Sequence, residues 1–234
     1  MVVDHPLSPG GTTHALLDAN VLLPPRLSDI LFDMCLLGLF SARWSLNIEA
    51  EFLRNWSKVA LKRGGDTASR TARQAFAEEK KAEKRLACYK GAVAEHAVFG
   101  HDHPAMLAKV PSAVDPRDKH VAAAGLVLLD YARQFNEKDK VFIVSSNLRH
   151  LAVSDMAQLG VGVVSPGQFI DHLAQADGAR VGRALDNCVN SLENPPYTRV
   201  LLLDTLLLHG ARKTVQHFSR EWGVTPASIG ARRK

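Results

Sequence analysis

The sequence predicts an α/β fold, a doubly wound parallel sheet flanked by helices, with a helical appendage behind it. Two observations carry this. Short apolar runs, Ala15–Leu17, Val141–Val144 and Val161–Val164, the latter two rich in β-branched residues, are bounded by polar, Gly or Pro residues in the manner of buried parallel strands. Long stretches of helical period separate them, and strands alternating with helices build a sheet covered on both faces. A third observation agrees: 234 residues at 46% hydrophobic and 23% charged are an ordinary globular composition, suited to a domain of about 150 residues plus an appendage.

Taken in order, residues 1–13 end in PGGTT, lack any period and read as a loose leader. The strand Ala15–Leu17 closes on Asp18. Helices are predicted over Ser28–Leu39, Asn47–Leu61, Thr67–Ala94 and Arg117–Phe135. In WSLNIEAEFLRNW, Trp44, Ile48 and Phe52 recur at helical spacing and would point inward, leaving Glu51 free to reach the sheet edge and Glu49 on another face. In DPRDKHVAAAG, Pro116 suits the first helical position, so Asp118 would sit in the first turn near the positive helix end. From about residue 175 the pattern is helical only. Pro195–Gly223 reads as two helices separated by a capping Gly210, and Val215, Phe218 and Trp222 form one stripe of the second. The chain thus divides into a leader (1–13), a main domain (14–174) and a helical extension (175–234).

A net charge of +5 and a pI near 9.2 favour an anionic partner, because clustered Lys and Arg release the counterions condensed on nucleic acid. Between Ser57 and Lys90 ten Lys or Arg stand against four acids, a basic arm for an RNA backbone or, equally, a solvated helix face laced with ion pairs. Cys35, Cys88 and Cys188 are an odd number and far apart, which opposes a disulfide framework and fits neutral thiols in a reducing compartment. Asp4, Pro6 and Pro9 stand where a signal peptide would be apolar, and no run approaches the roughly 18 apolar residues of a membrane span. A cytoplasmic protein without a membrane partner is expected. Cys88, His96, His101 and His103 fit no common zinc spacing, and the tail after Thr214 is too short for a full helix-turn-helix.

In open parallel sheets ligands bind beyond the carboxyl ends of the strands, where Asp18 and Asn147 would lie. With Glu51 and Asp118 they make an acidic constellation. Carboxylates held together repel unless a cation neutralises them, and Mg²⁺ or Mn²⁺ prefers such hard oxygen ligands. One or two ions there could activate a water and stabilise the leaving oxygen of a phosphodiester. Each residue also has a plainer role open to it. Asp18 and Asn147 can cap the turns after their strands, Asp115 can cap the helix at Pro116 with Asp118 as its acidic partner, and Glu51 can be a solvated carboxylate.

The blocks LLDANVL, IEAEF, DPRDKHVAAAG and FIVSSNLRHL, in this order, resemble the four motif blocks of PIN domains, particularly the VapC-type toxins of bacterial toxin–antitoxin pairs, over about 14–174. VVSPGQFIDHL resembles their last strand and helix, and LENPPYTRVLLLDTLLLHGARKTVQHF resembles a C-terminal extension of one VapC subgroup. The resemblance implies a Mg²⁺- or Mn²⁺-dependent endoribonuclease leaving a 5′-phosphate and a 3′-hydroxyl. It implies Asp18, Glu51 and Asp118 as metal ligands, Asn147 as a further site residue and Asn20 as a support for Asp18. It also implies RNA and a cognate antitoxin as partners, with a homodimer one assembly open to it. His150 departs from the pattern, standing where many relatives carry Asp. Two alternatives stay open: a non-catalytic PIN module binding RNA or protein, and a phosphotransferase with Asp18 as nucleophile, which would want a second acid where Asn20 stands.

Overall fold

The computed structural model describes residues 10–64, 72–191 and 196–227, with the side chains of 57–64 and of Ala72 left aside. In chain order these form β1 (Thr13–Leu17), α1 (Ala19–Leu22), α2 (Pro25–Leu36), β2 (Ser41–Ser45), α3 (Leu46–Gly64), α4 (Ala72–Ala92), β3 (Ala97–Val98), α5 (Pro104–Leu107), α6 (Lys119–Phe135), β4 (Lys140–Val144), α7 (Val153–Gln158), β5 (Val161–Val164), α8 (Pro166–Ala176), α9 (Gly178–Ser191), α10 (Arg199–Leu208) and α11 (Arg212–Trp222). A 3-10 turn, Leu148–His150, follows β4. The leader lies outside the described residues up to Pro9, as do 67–71 of the helix expected from Thr67 and the last seven residues of the tail.

The strands form one five-stranded parallel sheet in the order β3-β2-β1-β4-β5, flanked by helices. From β1 the chain winds outward to β2 and β3, then returns to place β4 on the other side of β1. The β1/β4 pair, Leu17 beside Val144, is therefore the switch point, and the carboxyl ends of these two strands bound a crevice.

The chain falls into two compact units. The first, residues 1–24 and 41–163, holds the sheet with α1 and α3–α7. Ala15, Leu16, Leu17, Ile143 and Val144 are fully buried within it. Against β1 and β4 lies α6, whose small residues Ala122, Ala123, Ala124 and Gly125 let the helix come close. A Cβ on Gly125 would stand 2.6 Å from Ile143 Cδ1, so a larger residue there would require the Ile143 side chain to shift.

The second unit, residues 25–40 and 164–234, gathers α2 with α8–α11. The stretches Pro25–Phe40 and Val164–Ala176 thus group with the C-terminal helices. Leu27, Ile30, Leu31 and Met34 of α2 are fully buried, and α9 packs on this helix. Asp171 of α8 accepts hydrogen bonds from the backbone N–H groups of Lys213 and Thr214 and from the Thr214 hydroxyl at 2.7–3.2 Å, which caps α11. Val215 and Phe218 are buried, and the Phe218 and Trp222 rings lie 5.0 Å apart. No helix among the described residues is long and apolar enough to cross a membrane.

Three local expectations need correction. Trp44 lies on β2, not on a helix; only Ile48 and Phe52 of that trio share α3, and β2 and β3 were not foreseen. The helix expected from Pro116 begins at Lys119, with Asp118 immediately before it. Asp115 caps no helix; its Oδ1 accepts the Arg117 N–H at 2.9 Å in a turn. In agreement with the absence of a disulfide framework, the three cysteines are free; Cys88 is exposed, and Cys188 is buried and donates to Asp33 at 2.7 Å.

Candidate functional site

Asp18 ends β1 and precedes α1, and its backbone N–H donates to the Val144 carbonyl of β4 at 3.1 Å. This backbone link holds it at the switch point, where its side chain is only 4% exposed. It occupies the N-cap position of α1 without a side-chain capping hydrogen bond, although the nearby Ala19 N–H favours its charged form. Its Oδ2 instead accepts from Ser145 Oγ at 2.7 Å and from Asn20 Nδ2 at 2.5 Å. Asn20 also donates to Ser145 Oγ at 3.1 Å and accepts the Ser146 N–H at 2.8 Å, tying the β1 and β4 ends into one polar frame.

Glu51, on the second turn of α3, and Asp118, just before α6, face the same crevice. Burial is the main reason that the Asp18 carboxyl is raised to about 6, the Ser145 hydrogen bond opposes it, and the negative charges of Glu51 and Asp118 push it up further. Burial likewise raises Asp118, against His150. Glu51 is held below the usual carboxylate range, chiefly by its polar contact with His120. His120 donates through Nδ1 to the Arg117 carbonyl at 2.9 Å, which leaves Nε2 3.6 Å from Glu51 Oε2. That second contact is favourable only for the imidazolium. Accordingly burial lowers the His120 pKa, but Glu51 more than offsets it and the net shift is upward.

Asn147 follows β4 with its N–H on Ser145 Oγ at 3.0 Å, and it too makes no side-chain cap. Its Nδ2 lies 3.3 Å from Asp118 Oδ2 and 2.8 Å from His150 Nδ1. His150 Nδ1 in turn lies 3.2 Å from Asp118 Oδ2, and the His150 carbonyl accepts the Asp115 N–H at 2.9 Å. Asp18, Glu51, Asp118 and Asn147 are thus brought to one crevice from four segments of the chain. Exposed Arg54, Arg117 and Arg149 stand beside them.

Three carboxylates from separate elements lie closely enough to perturb one another, the donors on Asp18 are neutral, and oxygens of this kind are the type that divalent cations prefer. Among the described residues no group of three or more His, Cys, Asp or Glu side chains is placed so that it could hold a metal ion. Compared with protein-family models, curated proteins and solved structures, the chain gives no match.

Ser145 and His120 were not foreseen. A serine after a strand is an everyday turn residue, and His120 signals itself only by lying two positions past Asp118. Glu49 is the converse case. On another face of α3 from Glu51, it is 8% exposed, accepts from Trp44 Nε1 at 3.0 Å and from Lys90 Nζ at 2.9 Å, and lies 3.4 Å from His96 Nε2. It anchors α4 to α3 and β2 and takes no part in the crevice. On α4 itself Lys80 pairs with Glu83 and Lys81 with Glu78, so two lysines of the basic arm are paired locally.

Proposed function

We propose that the chain is a metal-dependent endoribonuclease of the PIN class, the toxin of a type II toxin–antitoxin pair. The observation that carries the proposal is the meeting of Asp18, Glu51 and Asp118 at the β1/β4 switch point, where burial and, after it, the charges of Glu51 and Asp118 raise Asp18 while its hydrogen bonds come from neutral donors. The order of sequence blocks favours the same function.

Asp18, Glu51 and Asp118 would hold Mg²⁺ or Mn²⁺, which supplies Lewis acidity to a water and to the scissile phosphate. The chain's own residues then have definable roles. Ser145 and Asn20 fix the rotamer of Asp18, so the acid is positioned before substrate arrives. Arg54, Arg117 and Arg149 attract the polyanion to an otherwise acidic crevice. His120 keeps Glu51 ionised. Pure protein given single-stranded RNA and Mn²⁺ should produce fragments with 5′-phosphates, and Asp118→Ala should abolish this with its circular dichroism unchanged. Full activity of that variant, with a clean nuclease control, contradicts the site assignment.

A non-catalytic RNA- or protein-binding module is the second reading, favoured by the histidines that already engage Glu51 and Asp118. RNA binding with no cleavage under any divalent ion would select it. In the toxin reading a small antitoxin covers the crevice with an Arg or Lys among the three acids. Pull-down by a neighbouring open reading frame, with inhibition weakened when that basic residue is removed, tests this.

A further inference from the structure

Arg43 stands in the middle of β2, in register with Leu16 of β1, where a parallel sheet covered on both faces ordinarily carries an apolar residue. Its side chain is only 11% exposed, and the ion pair it makes is loose. Glu95 Oε2 lies 3.4 Å from Nη2, beyond the roughly 2.7–2.9 Å of a charge-assisted hydrogen bond, and the Glu95 side chain is 69% exposed. Nε is buried and finds no hydrogen-bond partner among the described residues. A buried guanidinium N–H without an acceptor is costly, so this position calls for an oxygen from elsewhere.

Arg43 lines a groove of about 410 Å³ that lies wholly within the first unit, beside α6. Glu95 and the Tyr131 hydroxyl apart, its other side chains are apolar, Val98, Phe99, Val127 and Leu128 among them. Phe99 and Tyr131 are 68% and 46% exposed. Small-molecule sites have this character, a mostly apolar wall with a few polar groups that orient the ligand. Val127 and Tyr131 lie about 14 and 20 Å along α6 from Asp118, so the groove is separate from the acidic crevice.

We infer that the groove binds a small carboxylic acid with an apolar body, its carboxylate on Nε and Nη2 of Arg43 and its body against Phe99 and Tyr131. Those two nitrogens form the side-on fork of a guanidinium, which matches the spacing of carboxylate oxygens. A ligand there answers Nε and takes Nη2 from Glu95, whose exposed side chain turns out to water. The volume suits one small molecule, and a single cation in an apolar wall favours a monoacid over a polyanion. The assignment stands apart from the nuclease reading.

The test is calorimetric titration of the full chain with octanoate and phenylpropionate, beside octanol, phenylpropanol and acetate, for wild type, Arg43→Met and Glu95→Gln. Amide shifts in ¹⁵N NMR spectra locate the binding. Both acids should saturate wild type and shift the amides of Val98, Phe99, Val127 and Leu128. Acetate and the alcohols should bind at least about tenfold more weakly, the change that one charge-assisted hydrogen bond brings. Arg43→Met should lose a similar factor. Glu95→Gln, at an exposed side chain, should bind the acids severalfold more tightly, because a competing carboxylate is gone. Alcohols that bind as tightly as the acids, or an unchanged affinity in Glu95→Gln, overturn the assignment even where Arg43→Met fails to fold. Failure of both acids to saturate wild type overturns it too: a dimer broken by Tyr131→Asp would then give the groove to a second copy, and binding of a blocked peptide holding glutamate beside phenylalanine would give it to a protein segment.

Discussion

Asp18 is a carboxylate that the fold forces to live almost without water. Its carboxyl is raised from 3.8 to about 6, chiefly by burial, so the native state holds a proton that the unfolded chain has already lost between those values. Stability therefore falls as pH rises through that window, and above it the penalty on the charged form is roughly 3 kcal/mol. Asp18→Asn removes the charge but keeps an oxygen for Ser145 and Asn20. In metal-free buffer the variant should be more stable than wild type by about 1–3 kcal/mol near pH 7.5, with the gain vanishing below about pH 4. Urea unfolding at both pH values measures this; an equal gain at both would mean that the charge is not the cause. Ser145 belongs to the same scale. Its hydroxyl lowers the Asp18 pKa and holds Asn20 and the Asn147 N–H as well, so Ser145→Ala should reduce cleavage through loss of positioning without loss of fold.

Among the elements, α3 carries two acids with opposite duties. Glu51 looks into the crevice, while Glu49 receives Trp44, Lys90 and His96 from β2, α4 and the segment before β3. Glu49→Ala would leave the Trp44 indole N–H unanswered and should cost about 2 kcal/mol by denaturant unfolding, discounting the half-exposed Lys90. Activity per folded molecule should persist. In the second unit Gly167 at the start of α8 lies against the Gly210–Ala211 backbone, where a Cβ would stand 2.3–2.4 Å from main-chain atoms that cannot yield as a side-chain tip can. Gly167→Ala should destabilise by about 1–3 kcal/mol or more, and a neutral effect would contradict the packing. The strands that build the switch point were legible because Val141–Val144 and Val161–Val164 are β-branched runs with sharp polar ends. β2, SARWS, was hidden, since its one large apolar residue, Trp44, falls in step with the helical Ile48 and Phe52. β3 has two residues and no period to detect. For the same reason Asp18 and Asn147, at strand ends, could be placed from sequence, whereas the Glu49 anchor needed the unforeseen β2 and β3 segment to supply its partners.

At the scale of the whole molecule, the net charge of +5 and the acidic crevice have opposite preferences for a polyanion. If RNA is held by exposed arginines and lysines while the acids act only through a cation, binding and cleavage must respond differently to ions. Binding of single-stranded RNA by the Asp118→Ala variant should weaken steeply with added salt, by a log–log slope of roughly 0.7 per phosphate contact. A flat salt response would locate the RNA contacts elsewhere than in this charge. Cleavage should depend on divalent metal at fixed ionic strength. The most direct measurement of the central claim is therefore the single-turnover RNA cleavage rate of chelator-stripped protein, titrated with Mn²⁺ or Mg²⁺ at constant ionic strength, for wild type and Asp18→Asn. The predicted result is no cleavage without metal, a saturable rise in wild type and no rise in Asp18→Asn; cleavage that survives exhaustive chelation, or that Asp18→Asn retains in full, would contradict a metal-dependent nuclease centre at Asp18, Glu51 and Asp118.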